Sequence, residues 1–347
     1  MLNLLKQLCA LSGVSSWEDE VRDFIRTQAQ PWADSIRTDP IGNLIVFKKG
    51  AKSTGNQLLL SAHMDEVGLM VKRIEEDGSL RFDTVGGIDR RVLLGKRVFV
   101  GADRIPAVVG SKPIHLTSRE ERKQLPKLDQ LYLDIGAKDR AEAEQLVSLG
   151  DVAAFAPEWV EFGDGMLKAK AIDDRVGCAV LLKLLQEELP MDCTFVFSAQ
   201  EEVGTRGAFG YAFSVRPEIA LVVEGTTASD IPGTPEHMAV CAPGKGPVIP
   251  FMDGGSIYDR KLFELLRRLA EDNGIPWQTK HRVAGGTDAR AIQRSRAGVR
   301  VAGIAAAVRN IHTPSSTASI ADCEALLRLA RLFIQAVAEE NGRNGTI

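Results

Sequence analysis

Five short apolar runs in this chain each lead into a histidine or an acidic residue, and this placement restricts the fold more than any other feature. Leu58-Leu59-Leu60-Ser61-Ala62 runs into His63-x-Asp65, Leu167 to Ile172 into Asp173-Asp174, and Thr194 to Ala199, past Gln200, into Glu201-Glu202. Leu221-Val222-Val223 is followed by Glu224, and Asn310-Ile311 by His312. Adjacent carboxylates repel, so two such pairs at the ends of apolar runs need positive charge to hold them. Oxygen and imidazole ligands without cysteine suit a hydrolytic pair of divalent ions better than a structural zinc.

Periodicity supplies the frame around these positions. Leu4, Leu5, Leu8 and Leu11 share a helical face that Gly13 is expected to close. Ser15 or Ser16 reads as the cap of a second helix carrying Trp17, Val21, Phe24 and Ile25. Strands are expected at Asn43 to Lys48 and Gln57 to Ala62. From Met166 strands and helices alternate: strand Leu167 to Ile172, helix Val176 to Leu189 stopped by Pro190, strand Thr194 to Ala199, a helix after Gly204, and strand Ile219 to Val223. Helix Asp259 to Asp272, strand Trp277 to Val283, a short helix Asp288 to Arg294, strand Val299 to Ala305 and helix Ala321 to Glu340 complete the series. Such alternation predicts an α/β fold, a mixed sheet covered by helices on both faces.

The stretch from Leu69 to Gly165 breaks that rhythm. It holds short β-like runs at Leu80 to Thr84, Lys96 to Val100, Ile105 to Val109 and Leu131 to Ile135, with one helix from Arg140 to Leu149. It reads as a small, mostly β domain (residues 69–165) inserted between the two parts of the first domain, 1–68 and 166–347. The tail after Asn341 reads as disordered.

Composition excludes several classes. A net charge of −3 over 347 residues gives no electrostatic case for nucleic acid or an anionic membrane. No run reaches the ~18 apolar residues of a membrane span. Met1 to Leu11 is interrupted by Lys6 and Gln7 and reads as an amphipathic helix, not a signal peptide. The five cysteines (9, 178, 193, 241 and 323) are scattered without a C-x-x-C, which fits reduced thiols in a cytoplasm.

Each candidate residue also has an ordinary explanation. A histidine after a strand is commonly a satisfied polar group, Glu-Glu a solvated helix start, and Asp-Asp a cap favoured by the helix dipole. Five such coincidences at successive strand ends are improbable together. The proposed roles follow from chemistry. Asp173 bridges two ions, His63 and Glu224 complete one and Glu202 and His312 the other, a pairing that the sequence alone does not derive. Asp65 accepts the other N–H of His63 and fixes its tautomer, and Glu201 takes a proton from the attacking water.

Other signals are weaker. Gly204-x-x-Gly207 and Gly244-Lys245-Gly246 match neither a dinucleotide fingerprint nor a phosphate loop. Gly285-Gly286-Thr287-Asp288 is either a turn and cap or a wall of the substrate cleft. His237 and His281 read as surface residues. His115, within the insert, reads as structural unless it reaches the site of a neighbouring subunit.

His63-Met64-Asp65-Glu66-Val67-Gly68, Ala171-Ile172-Asp173-Asp174-Arg175 and Gln200-Glu201-Glu202-Val203-Gly204-x-Arg206-Gly207-Ala208 resemble motifs of the tetrahedral aminopeptidases. These are zinc-peptidase-like enzymes that include glutamyl, leucyl and lysyl aminopeptidases and relatives once labelled endoglucanases. Gly285-Gly286-Thr287-Asp288-Ala289 and Ile311-His312-Thr313-Pro314 fit as well, and the similarity spans nearly the whole chain. It implies His63, Asp173, Glu202, Glu224 and His312 as ligands, Glu201 as general base, Asp65 orienting His63, and a cis Asp173–Asp174 bond. It further implies zinc or cobalt, dimerisation through the insert, and a hollow twelve-subunit homo-oligomer acting on peptides. One residue departs: the family pattern has Asp where this chain has Glu224, a choice more familiar in carboxypeptidases and deacylases. The expected activity is therefore a metal-dependent aminopeptidase, with a deacylase or dipeptidase on the same scaffold as the alternative. A non-catalytic metal-binding assembly protein is the reading from another class. A cellulase mechanism would need a carboxylate pair at a set separation and no metal pair.

Overall fold

A computed structural model describes residues 1–55 and 57–341; the tail expected to be disordered lies outside them. Two helices open the chain, α1 (Leu2–Ala10) and α2 (Asp19–Ala29), followed by strands β1 (Ser35–Thr38), β2 (Leu44–Lys48) and β3 (Leu58–His63). Strands β4 (Gly68–Ile74), β5 (Leu80–Val85), β6 (Arg97–Val100), β7 (Ile105–Gly110), β8 (Tyr132–Asp134) and β9 (Val152–Phe155) follow, with α3 (Arg140–Leu146) before the last of them. Next come β10 (Val160–Phe162), β11 (Met166–Ala169), α4 (Ile172–Leu185), β12 (Cys193–Ser198), α5 (Arg206–Val215) and β13 (Ile219–Thr227). The chain ends through α6 (Arg260–Asp272), α7 (Ala289–Ile292), β14 (Arg300–Arg309), β15 (Ser316–Ser319) and α8 (Ile320–Asn341).

A nine-stranded sheet runs in the order β1-β2-β12-β3-β13-β14-β15-β11-β10. Its centre, β12-β3-β13-β14, is parallel and its flanks are antiparallel. All six residues of β3 and of β12 are buried, as expected for parallel strands covered on both faces. Alternate side chains divide between two cores. Leu58, Leu60 and Ala62 pack with Leu181, Leu185 and Phe333 of α4 and α8, whereas Leu59 packs with Tyr211, Ala212 and Ile292 of α5 and α7. Strands β4 to β9 close into a separate six-stranded barrel around Phe82, Val98, Leu133 and Phe155. No helix among the described residues is long and apolar enough to cross a membrane.

Several expectations are corrected. The segment 277–283 is no strand; it makes a single bridge, Val248 with Gln278. Strands β1, β10 and β15 carry too little apolar pattern to stand out. Gly13 does not close α1, which ends at Ala10 with an extended Leu11. A Cβ there would lie 2.7 Å from both Arg175 Nη2 and Val21 Cγ2, so Gly13 permits close packing. Neither Ser15 nor Ser16 caps α2: Glu18 occupies that position, without a side-chain cap bond.

A buried charged cluster centres on Glu66, three residues past His63 at the carboxyl end of β3. Glu66 accepts from Lys170 Nζ at 2.6 and 2.8 Å and from Gly13 N–H at 3.0 Å, with Arg175 Nη2 at 3.4 Å. Lys170 also donates to Leu11 O, and Arg175 to Met64 O after β3 and to Leu8 O, which also accepts the Leu11 N–H. All three side chains are buried, so this cluster ties α1, the loop after β3 and the start of α4 in one place. Glu18, also buried, accepts from the backbone N–H of Ser16 (2.8 Å) and Gln200 (3.1 Å). Burial, with the charge of Asp65 adding, lifts its carboxyl to about 7.

Two outcomes are expected. Glu66→Gln strands two buried cations and should cost about 3–5 kcal/mol, read as a lower denaturant midpoint; an unchanged midpoint would contradict the account. Glu18 has its folded-state pKa raised above the unfolded value, so the folded protein binds the extra proton and loses stability as pH climbs from about 4.5 to about 7. Glu18→Gln keeps the acceptor without the charge. Its melting temperature relative to the parent should therefore improve by several degrees between pH 5 and pH 8, and a pH-independent gap would refute the assignment.

Candidate metal centre

Parallel strands in register deliver their carboxyl ends to one edge. Ser198 pairs with His63 across β12 and β3, and β13 pairs with β14 from Ile219 to Thr227. His63, Glu201, Glu202, Glu224 and His312 accordingly gather with Asp173 around a cavity of about 450 Å³.

The distances sort the side chains into two groups. His63 Nε2 lies 3.3 Å from Asp173 Oδ1 and 3.5 Å from Glu224 Oε2. His312 Nε2 lies 3.2 Å from Glu202 Oε2 and 3.6 Å from Asp173 Oδ2. Asp173 thus offers one oxygen to each side. The other ring nitrogens face carbonyls: His63 Nδ1 is 3.0 Å from Asp65 O, and His312 Nδ1 is 2.8 Å from Gly87 O. A proton on each Nδ1 leaves both Nε2 lone pairs directed at the carboxylates, the tautomer a metal ligand requires. Asp173 Oδ1 and Glu224 Oε1 are buried with no hydrogen-bond partner among the described residues. This donor set of oxygen and imidazole nitrogen fits divalent ions.

Asp174 also comes within ligand range of His63 and Glu224. Its oxygens, however, accept from His63 N–H (3.1 Å) and Gly177 N–H (2.9 Å), whereas Asp173 Oδ1 is unmatched. The Asp173–Asp174 peptide is cis. Gly225 borders Asp173 so closely that a Cβ would sit 2.9 Å from its side chain.

Asp65 works differently from expectation. Its backbone carbonyl, not its carboxylate, is the nearer partner of His63 Nδ1; the carboxylate stands 3.5 Å away. That carboxylate accepts from Ser15 Oγ (2.6 Å) and from the N–H groups of Glu201 (2.9 Å) and Glu202 (3.1 Å). It orients the Glu-Glu loop as well as the histidine. Ser15, Glu18 and Gly87 were not visible in the sequence, since each acts on a residue remote in the chain. Asp288 is buried, accepting from Ser198 Oγ and Tyr211 Oη, while Gly285, Gly286 and Thr287 line the cavity. His115 is exposed on a short turn after β7 and does not line the cavity. The cysteines are free and buried; Cys178 meets the site only through the carbonyl of His63.

Electrostatics mark a shortage of positive charge. Burial, reinforced by Asp174, drives the Glu224 carboxyl far up. Burial also raises Glu202 to about 7, and Glu201 well above the carboxylate range with Asp288, Glu202 and Asp65 adding. Burial lowers the basicity of both imidazoles, yet the surrounding carboxylates outweigh it and bring His312 to about 9. Cations among these groups would relieve both imbalances.

Comparison with known proteins agrees with the motifs. Residues 42–329 match the family model described as M42 glutamyl aminopeptidase. A relative named putative aminopeptidase, from Acetivibrio thermocellus, is 38% identical over 95% of this chain and 97% of its own length. An aminopeptidase of the archaeon Desulfurococcus kamchatkensis superposes with a TM-score of 0.92 at 35% identity, covering 99% of this chain and 98% of that one. The TET1 peptidase of Pyrococcus horikoshii, which can assemble into a tetrahedron or a large octahedral shell, superposes at 0.86 with 33% identity over 96% and 98%. The chain therefore belongs to the M42 glutamyl aminopeptidase family, the tetrahedral aminopeptidases, and is a peptidase.

Proposed function

We propose that the protein removes amino-terminal residues from peptides by a two-metal, Glu201-assisted attack of water on the peptide carbonyl. The observation that carries this reading is the division of ligands around Asp173, His63 and Glu224 on one side and His312 and Glu202 on the other. Both imidazoles are turned for coordination by carbonyls behind them. Two divalent ions, zinc or cobalt, would supply carbonyl polarisation and a more acidic water.

The chain's own residues do the rest. Glu201 borders the cavity, and its N–H is fixed by Asp65. From there its carboxylate is placed to take a proton from water and pass it to the leaving amine. Glu224 reaches the His63 side of Asp173 with its longer side chain, which supports a ligand role despite the departure from aspartate. Assembly as a cytoplasmic twelve-subunit particle built from dimers, with the barrel segment as the contact, is part of the same proposal. The tetrahedral shell of the Pyrococcus relative supports the assembly part of that proposal.

Protein loaded with zinc or cobalt should cleave aminoacyl p-nitroanilides, lose that activity in EDTA, and spare the N-acetyl analogues. Preferential cleavage of N-acetylated substrates would instead favour a deacylase on this scaffold. Bound metal with no hydrolysis of either kind would leave a binding protein. Glu201→Gln should lower kcat by about 10²- to 10⁴-fold with metal content unchanged; near-normal turnover would sink the assigned base.

A further inference from the structure

Consecutive backbone N–H groups lead from the end of β12 into the Glu-Glu pair, and each donates to a side chain from another segment. Ala199 N–H reaches Asn43 Oδ1 (2.9 Å) and Gln200 N–H reaches Glu18 Oε1 (3.1 Å). Glu201 and Glu202 N–H take one oxygen each of Asp65, at 2.9 and 3.1 Å. Asn43, Glu18 and Asp65 are all buried. They stand just before β2, at the start of α2 and just after β3. The Asn43 amide also donates to Gly207 O (3.1 Å) in α5, and a Cβ on Gly207 would lie 2.2 Å from Asn43 Oδ1. Side chains from three segments thus hold the amides of residues 199–202.

The Glu18 link carries a burden that the others do not. Gln200, directly before the general base, has φ 58°, a left-handed conformation that strains a residue with a side chain. Such a residue keeps that conformation where its surroundings over-determine it. The same Glu18 oxygen accepts from Ser16 N–H (2.8 Å), and Ser16 is left-handed as well, with φ 76°. One carboxyl oxygen therefore pins two strained residues. One adjoins Ser15, which donates to Asp65, and the other adjoins Glu201. Glu18 stands at the cap position of α2 but makes no side-chain cap bond, its oxygen being turned to Ser16 and Gln200 instead.

We infer that Glu18 is a positioning residue for the reaction: by holding Gln200 in its left-handed turn, it sets the direction in which the Glu201 carboxylate enters the cavity. This rests on the aminopeptidase reading above and adds a residue to it. Glu18 does not line the cavity and acts through the backbone of the loop. Its donors are neutral amides, so the role demands an acceptor oxygen at the right reach and not a negative charge. Misplacing a reacting group by about 1 Å costs about 100-fold in rate.

The test separates reach from charge, at saturating zinc and with an aminoacyl p-nitroanilide that the parent cleaves. Glu18→Gln keeps the accepting oxygen at the same reach, whereas Glu18→Asp keeps the charge but falls one methylene short of Gln200. The Gln variant should retain most of the parent kcat. The Asp variant should lose about 10- to 100-fold in kcat with KM little changed. A slow Gln variant, an Asp variant as fast as the parent, or a loss in Asp confined to KM overturns the assignment while leaving the aminopeptidase reading intact. Amide hydrogen exchange read by mass spectrometry needs neither turnover nor a folded Asp variant. In the parent and in Glu18→Gln, the amides of residues 199–202 should exchange as slowly as those of β12. Exchange there at the rate of an exposed loop overturns the proposal. If the parent cleaves no anilide, the aminopeptidase reading fails, with exchange still deciding whether the loop is held.

Discussion

Repulsion among carboxylates confined to one sheet edge is the constraint on which the rest of this structure depends. Asp65, Asp173, Asp174, Glu202 and Glu224 carry most of that charge into a region largely closed to water. Backbone donors offset part of it. Asp65 takes the N–H groups of Glu201 and Glu202, and Asp174 takes those of His63 and Gly177. What these donors leave unmatched, Asp173 Oδ1 and Glu224 Oε1, is where a cation would bind.

Holding like charges together demands a stiff support, and the surroundings provide it. Four parallel strands set the spacing of the loops. Behind the loop after β3, Glu66 with Lys170 and Arg175 forms a second, charge-balanced cluster that anchors α1 and the start of α4. From the barrel side, Gly87 fixes the ring of His312. The candidate metal centre therefore draws on both architectural units, although its proposed ligands all come from the larger one.

Much of this was legible in the sequence. His63, Asp173, Glu201-Glu202, Glu224 and His312 stood out because each follows a short run destined for the sheet. Parallel strands convert that linear position into spatial proximity. The α/β class and the interruption by β-rich segments were legible for the same reason, a change in apolar period. Element ends were less so, since β1 and β10 contribute few buried side chains, β15 is made of small and polar residues, and loop 277–283 imitates a strand. The supporting contacts were not legible at all. Ser15 to Asp65, Glu18 to Gln200 and Gly87 to His312 join positions far apart in the chain. Serine, glutamate and glycine there have nothing distinctive in their local pattern.

By itself, then, the sequence determined which side chains gather at the candidate site and that an α/β sheet presents them, because hydrophobic period and ligand type are local properties. Tertiary structure decided the rest: which ligands share a side of Asp173, which carbonyls set the imidazole tautomers, that Asp65 clamps the Glu-Glu loop, and that Glu18 holds the residue before it. Those are relations between segments, fixed by strand register and by the burial of charge, and no local pattern encodes them.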